Sequence, residues 1–138
     1  MLLLQARESV IARFRPLLNA QGITEQQWRI VRALLETGPM EPREIVSVCR
    51  ISSPSLAGVL ARMEETGLVA RERLDHDQRR VKVSLTAMSR ALAARLAPQI
   101  EATYAEIEAM IGPKFTQSFY TTLDELIATL DREVGEGQ

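Results

Sequence analysis

Cysteine, histidine, aromatic residues and long apolar runs are all scarce in this chain. One cysteine, Cys49, has no partner for an intrachain disulfide, and a reducing cytoplasm is the compartment that fits. One histidine, His76, and the absence of any Cys/His cluster leave no pattern for a dedicated metal site. Cys49 and His76 lie far apart in sequence and in unrelated elements, so they form no nucleophile–base pair. No catalytic residue, metal or cofactor is expected. Aromatics make up only 4% of the chain, and Leu and Ala carry its apolar content, which favours helices over sheets. No apolar run nears the roughly 18 residues of a membrane span. The opening Met1–Leu4 is too short for a secretion signal and is followed by Arg7 and Glu8, so neither a membrane nor a targeting segment is expected.

What is present suits one folding unit of 138 residues with two functional parts. The net charge of −1 hides an asymmetry. Residues 43–82 hold eight basic residues against six acidic ones, whereas residues 101–138 hold two against eight. A basic middle and an acidic tail suggest that only the middle meets a polyanion.

Apolar spacings of three and four predict a helix over 2–19, on Leu3, Ala6, Val10, Phe14 and Leu17. Pro16 should kink it or end its regular part. Thr24, with Gln27 three residues on, reads as the capping box of a second helix, with Trp28, Val31, Leu34 and Leu35 on its apolar face. Gly38-Pro39 ends it. A short third helix runs from Pro42 to Cys49, and a tight turn spans 50–52. A fourth helix follows, with Ser53 as cap, Pro54 in the first position, and Leu56, Leu60 and Met63 buried. Residues 68–73 and 81–85 are strand candidates, with 74–80 as a polar hairpin tip. Thr86 caps a long fifth helix, with a bend expected at Pro98. After Gly112-Pro113, Phe115, Phe119, Leu123, Leu126, Ile127 and Leu130 stripe a sixth. The tail from Gly135 to Gln138 should fray.

The expected fold is therefore mainly α with a small β-hairpin wing: a winged helix-turn-helix lobe over 23–85 and a helical dimerisation region formed by 1–22 and 86–138. The first, fifth and sixth helices carry apolar stripes that so small a unit cannot bury, which marks an association surface.

DNA's major groove admits one α-helix, whose N-terminal side chains reach base edges. The fourth helix presents Ser53, Pro54, Ser55, Ala57, Gly58 and Arg62 outward. Small residues let a helix sit deep, and its first-turn N–H groups suit phosphate. The same residues also suit a solvent face with capping serines. Arg79 and Arg80 stand on the expected hairpin loop, in reach of a narrow minor groove or its phosphates. Asp77 is wrong for bare phosphate but fits as a brace for an arginine; a solvated turn with a surface ion pair is the alternative. Arg73, at the end of the first strand candidate, completes this set.

The stretch Leu56-x3-Leu60-x-Arg62-Met63-Glu64-x2-Gly67-Leu68-Val69, followed by Asp77-x-Arg79-x5-Leu85-Thr86, resembles the signature of the multiple antibiotic resistance regulator (MarR) family over the whole chain. That resemblance implies a homodimer on near-palindromic double-stranded DNA, with the arginine at Arg79 entering the minor groove and the acid at Asp77 orienting basic residues. Arg80 stands where many members carry glycine or Arg-Gly, which leaves open which arginine goes deepest. Gln5-Ala6-Arg7-Glu8, Phe14-Arg15-Pro16-x-Leu18-Asn19 and Thr24-Glu25-Gln26-Gln27-Trp28-Arg29 are similar to regulators of homoprotocatechuate degradation within that family. The narrower resemblance implies repression of an aromatic-acid operon, relieved by a small phenolic carboxylate; efflux or fatty-acid resistance is the alternative. The family's effector pocket maps to the first, second and fifth helices. There Arg15 and Arg29 suit a carboxylate and Phe14 and Trp28 suit a ring, although core packing with bracing arginines explains the same four residues. A ligand-blind DNA-binding protein and a winged helix used for protein contact are the remaining readings.

Overall fold

The computed structural model describes residues 1–136. Their order is α1 (Leu2–Ala20), α2 (Glu25–Thr37), α3 (Pro42–Cys49), α4 (Ser53–Glu65), β1 (Val69–Leu74), β2 (Asp77–Leu85), α5 (Ala87–Ile111) and α6 (Pro113–Glu136). It is the mainly helical, hairpin-bearing order that the sequence predicts. By packing, the chain divides into one compact unit over Met1–Ile100 and a second from Glu101 onward.

In the first unit, α2 to α4 and the hairpin enclose a core. Ile30, Val31, Met40, Ile45, Leu56, Leu60, Met63, Val83 and Leu96 are fully buried. Each contributes roughly 1.5–3 kcal/mol by leaving water. The buried stripe of α2 is rotated from the expected one: Ile30 and Ala33 face inward, and Leu35 is half exposed. Thr24 and Gln27 cap the helix reciprocally, the Gln27 N–H donating to Thr24 Oγ1 at 3.1 Å and the Thr24 N–H to Gln27 Oε1 at 3.0 Å. Helix α1 passes through Pro16 and continues to Ala20. Pro16 therefore does not end it, and α5 likewise continues past Pro98.

Helices α3 and α4 turn through 111° across a short break, within the 90–120° of helix-turn-helix units. Arg50 makes that turn in the left-handed region, at φ 55° and ψ 47°. The start of α4 differs from expectation by one residue. Ser52 is the cap, Ser53 is the first helical residue and Pro54 the second. Either serine has cap chemistry, and proline is tolerated throughout the first turn because its missing N–H has no partner to lose.

The two strands pair antiparallel from Val69↔Leu85 to Arg73↔Val81, and then, past an irregularity, Leu74↔Asp77. Strand β2 thus starts at Asp77, and the tip shrinks to Asp75 and His76. Arg79 and Arg80 fall within β2, not on a loop as expected: the strand begins at Asp77, which pairs with Leu74, and residues 78–80 bulge between that pair and Arg73↔Val81. Met40 adds a one-residue third strand: its N–H donates to the Val83 carbonyl at 3.0 Å and its carbonyl accepts the Val83 N–H at 2.7 Å. At the far end, Thr86 Oγ1 accepts the Ser89 N–H at 3.2 Å and donates to the Gly67 carbonyl at 2.7 Å, tying the start of α5 to the end of α4.

In the second unit, Gly112 (φ 92°) separates the end of α5 from α6. No described side chain of α6 is buried. Phe115 and Phe119 stack at 5.9 Å between ring centroids. Tyr120, Leu126, Ile127 and Leu130 are also exposed. The tail expected to fray is helical to Glu136, and Gly137 and Gln138 lie outside the described residues. No single described helix is long and apolar enough to cross a membrane.

Candidate nucleic-acid interface

Helix α4 buries Leu56, Leu60 and Met63 and presents Ser53, Pro54, Ser55, Ala57, Gly58, Ala61 and Arg62 outward. That face is smooth and built of small side chains. Ser52 Oγ accepts the Ser55 N–H at 3.4 Å and donates to Ser55 Oγ at 2.9 Å, so Ser55 is partly engaged in the cap. Gly58 sits mid-helix, and a Cβ there would meet nothing within 4 Å. A mid-helix glycine costs about 1 kcal/mol against alanine. No neighbour in this chain requires it, whereas close approach of a groove would.

On the wing, the Arg79 side chain is 91% exposed. Asp77 Oδ1 accepts its backbone N–H at 3.0 Å and its Nε at 3.2 Å. These bonds, the backbone one foremost, hold the Asp77 carboxyl below its ordinary range. Arg73 donates to the Gln78 carbonyl, bracing the tip from the other strand. Arg71 pairs with Glu64 at 3.4 Å, joining wing to α4.

Arg80 behaves differently from its neighbour. Its Nε and Nη2 lie 2.9 and 2.7 Å from the two oxygens of Glu41, which is 10% exposed. Hydrogen bonding from Arg80 outweighs the opposing effect of burial and holds the Glu41 carboxyl down at about 2. Arg43, 79% exposed, approaches the same carboxylate at 3.5 Å. Glu41, Arg43 and Ser52 at this surface, and the buried Met40 behind it, are the residues that sequence reasoning missed. One signal was available for Glu41: it stands before Pro42 with an acid three residues on, a helix-start pattern.

Of the residues expected around an effector, Phe14 is buried, and Trp28 and Arg29 are partly buried. The guanidinium fork of exposed Arg15 is taken by both oxygens of Glu8, which raises the Arg15 pKa and lowers that of Glu8. Arg29 Nη1 donates to the Cys49 carbonyl at 2.6 Å. Its Nε is 2.9 Å from Glu25 Oε1 but off the hydrogen-bond direction, an ion pair without a hydrogen bond. Arg7 reaches the same Glu25 oxygen at 3.0 Å. The two arginines are thus held by separate carboxylates on α1 and α2. Burial pushes the Cys49 thiol up, the direction of an inert thiol. Among the described residues no group of acids, His and Cys is arranged to hold a metal.

A family model described as MarR family matches residues 21–80. The homoprotocatechuate degradative operon repressor of Escherichia coli is 44% identical to this chain over 126 residues, covering 91% of this chain and 85% of the relative. The crystal structure of the transcriptional regulator PA4135 matches with a TM-score of 0.84 at 40% identity, over 90% of this chain and 91% of that one. The crystal structure of NadR in complex with 4-hydroxyphenylacetate matches with a TM-score of 0.74 at 40% identity, over 90% and 88%.

Proposed function

The chain belongs to the MarR family, and from that premise we infer that it is a transcriptional repressor. It binds duplex DNA as a homodimer and is released by a small aromatic carboxylate. The observation that carries the DNA-binding part is a pair of projections from one lobe. The smooth outer face of α4 is the right shape for a major groove, and Arg79, held outward by Asp77, is the right charge for the adjacent minor groove. Ser53, Pro54, Ser55, Gly58 and Arg62 make the first set of contacts; Arg79, with Arg73 behind it, makes the second. A second copy covers the exposed apolar side chains of α1 and α6, which assigns 1–22 and 86–138 to dimerisation and 23–85 to DNA. Recognition helices of the pair then meet successive major grooves about 34–36 Å apart.

The effector reading draws support from two relatives: one represses the homoprotocatechuate degradative operon, and the other holds 4-hydroxyphenylacetate. In this chain Arg15 and Arg29 supply the charge for a carboxylate and Phe14 and Trp28 the surface for a ring. A ligand carboxylate would take Glu8's place on Arg15. The test is a thermal-shift panel of hydroxyphenylacetates, hydroxybenzoates and hydroxycinnamates. A binder at one hundred times its dissociation constant stabilises the fold by about 2.7 kcal/mol. It must also weaken DNA binding by the factor by which DNA weakens its own. Arg15→Ala or Arg29→Ala removes the shift and keeps DNA affinity. A shift that survives in both variants contradicts the assignment of the site.

A further inference from the structure

We propose that Arg80 is the anchor of the wing and not one of its DNA contacts: its two-armed grip on Glu41 fixes the wing against α3 and so sets where Arg79 meets the DNA. This inference rests on the repressor reading above.

A two-stranded ribbon is marginally stable alone and twists readily. The body of the lobe grips this one at Val83, through the paired bonds to Met40. The Arg80–Glu41 clasp lies three residues nearer the tip, just beyond the last regular pair Arg73↔Val81, and so moves the last fixed point outward to where regular pairing ends. Glu41 is a firm post. Its N–H donates to the Glu44 carboxylate at 3.0 Å. Its carbonyl accepts the Glu44 and Ile45 N–H groups at 3.0 and 3.2 Å as the first turn of α3. Two parallel bonds between a planar guanidinium and a planar carboxylate fix orientation as well as distance.

Arg80 is held inward on Glu41, while the Arg79 side chain is 91% exposed and steadied there by Asp77. To reach a phosphate, Arg80 would have to break both bonds and leave the largely buried carboxylate with the longer Arg43 contact, at 3.5 Å, in place of its two-armed partner.

The experiment uses the full chain and, as probe, a duplex that the wild type enriches from a random library. Wild type, Arg79→Ala, Arg80→Gln, Glu41→Gln, the double E41Q/R80Q and the exchanged pair E41R/R80E are compared. Three quantities are read: Tm, the affinity ratio between enriched and scrambled duplex, and the slope of log affinity against log salt. Arg79→Ala lowers the slope by about one per protomer, and Arg80→Gln leaves it unchanged. Arg80→Gln and Glu41→Gln each lower the affinity ratio about tenfold, as one misplaced contact does. The double variant loses no more than either, because one clasp is broken in all three. The exchanged pair regains most of the ratio, and it decides the matter if Arg80→Gln alone fails to fold. A slope lowered by about one in Arg80→Gln, or tighter binding at an unchanged ratio in Glu41→Gln, makes Arg80 a phosphate contact and overturns the proposal. An exchanged pair that folds but regains nothing also overturns it. If wild type enriches no duplex, the repressor reading itself fails, and the anchor with it.

Discussion

Asp77 holds Arg79 at two points through a single oxygen, Oδ1, which accepts the backbone N–H at 3.0 Å and the side-chain Nε at 3.2 Å. An acid beside a DNA-binding arginine lowers the local positive potential, so its removal by simple charge counting should tighten binding. A brace makes the opposite prediction. Asp77→Ala, which removes the accepting oxygen as well as the charge, weakens binding to an enriched duplex about threefold to tenfold, because Arg79 loses its fixed pose. Titration of the two proteins against the same duplex checks the sign.

Gly58 allows stability and binding to be separated. Its neighbourhood is open, so Gly58→Ala stabilises the fold by about 0.5–1 kcal/mol through helix propensity alone. Thermal melts should show a Tm raised by a few degrees, while DNA binding weakens or stays level. Gly58→Glu keeps the fold and abolishes specific binding, by bulk and by repulsion from phosphate. Unimpaired binding in Gly58→Glu removes α4 from the groove.

The Glu41 carboxyl, held at about 2 against an ordinary 4.5, gives stability a pH dependence of defined sign. Its folded pKa is depressed, so its contribution is present in full above about 4.5 and drains away as pH falls towards 2. Glu41→Gln, which has no proton to gain, loses less stability than the wild type between those limits. Denaturant melts at a series of acidic pH values check this difference.

The parts of the fold that were legible in the sequence are those where periodicity repeats over several turns. Leu56, Leu60 and Met63 recur at helical spacing and are buried; Thr24 and Gln27 carry their cap chemistry in their side chains. Features resting on a single residue or a distant partner were not legible. Met40 forms a strand of one residue, too short for any alternation. Asp77–Arg80 reads as a loop because four polar residues show no apolar alternation, yet β2 begins at Asp77, which pairs with Leu74 across a bulge that no side-chain pattern announces. The grip of Arg80 on Glu41 spans 39 positions, and nothing local to either residue announces it. Ser52 and Ser53 offer identical cap chemistry, so composition could not choose between them.

In the proposed complex this lobe works on DNA in pairs, with α4 in the major groove and Arg79 in the minor. Hydroxyl-radical footprinting on a duplex enriched by the wild type tests it most directly. Two protected tracts related by two-fold symmetry are expected, with centres about one helical turn apart. Outside each lies a minor-groove protection that Arg79→Ala removes. A single tract, or protection spread evenly along the duplex and unchanged in Arg79→Ala, would contradict it.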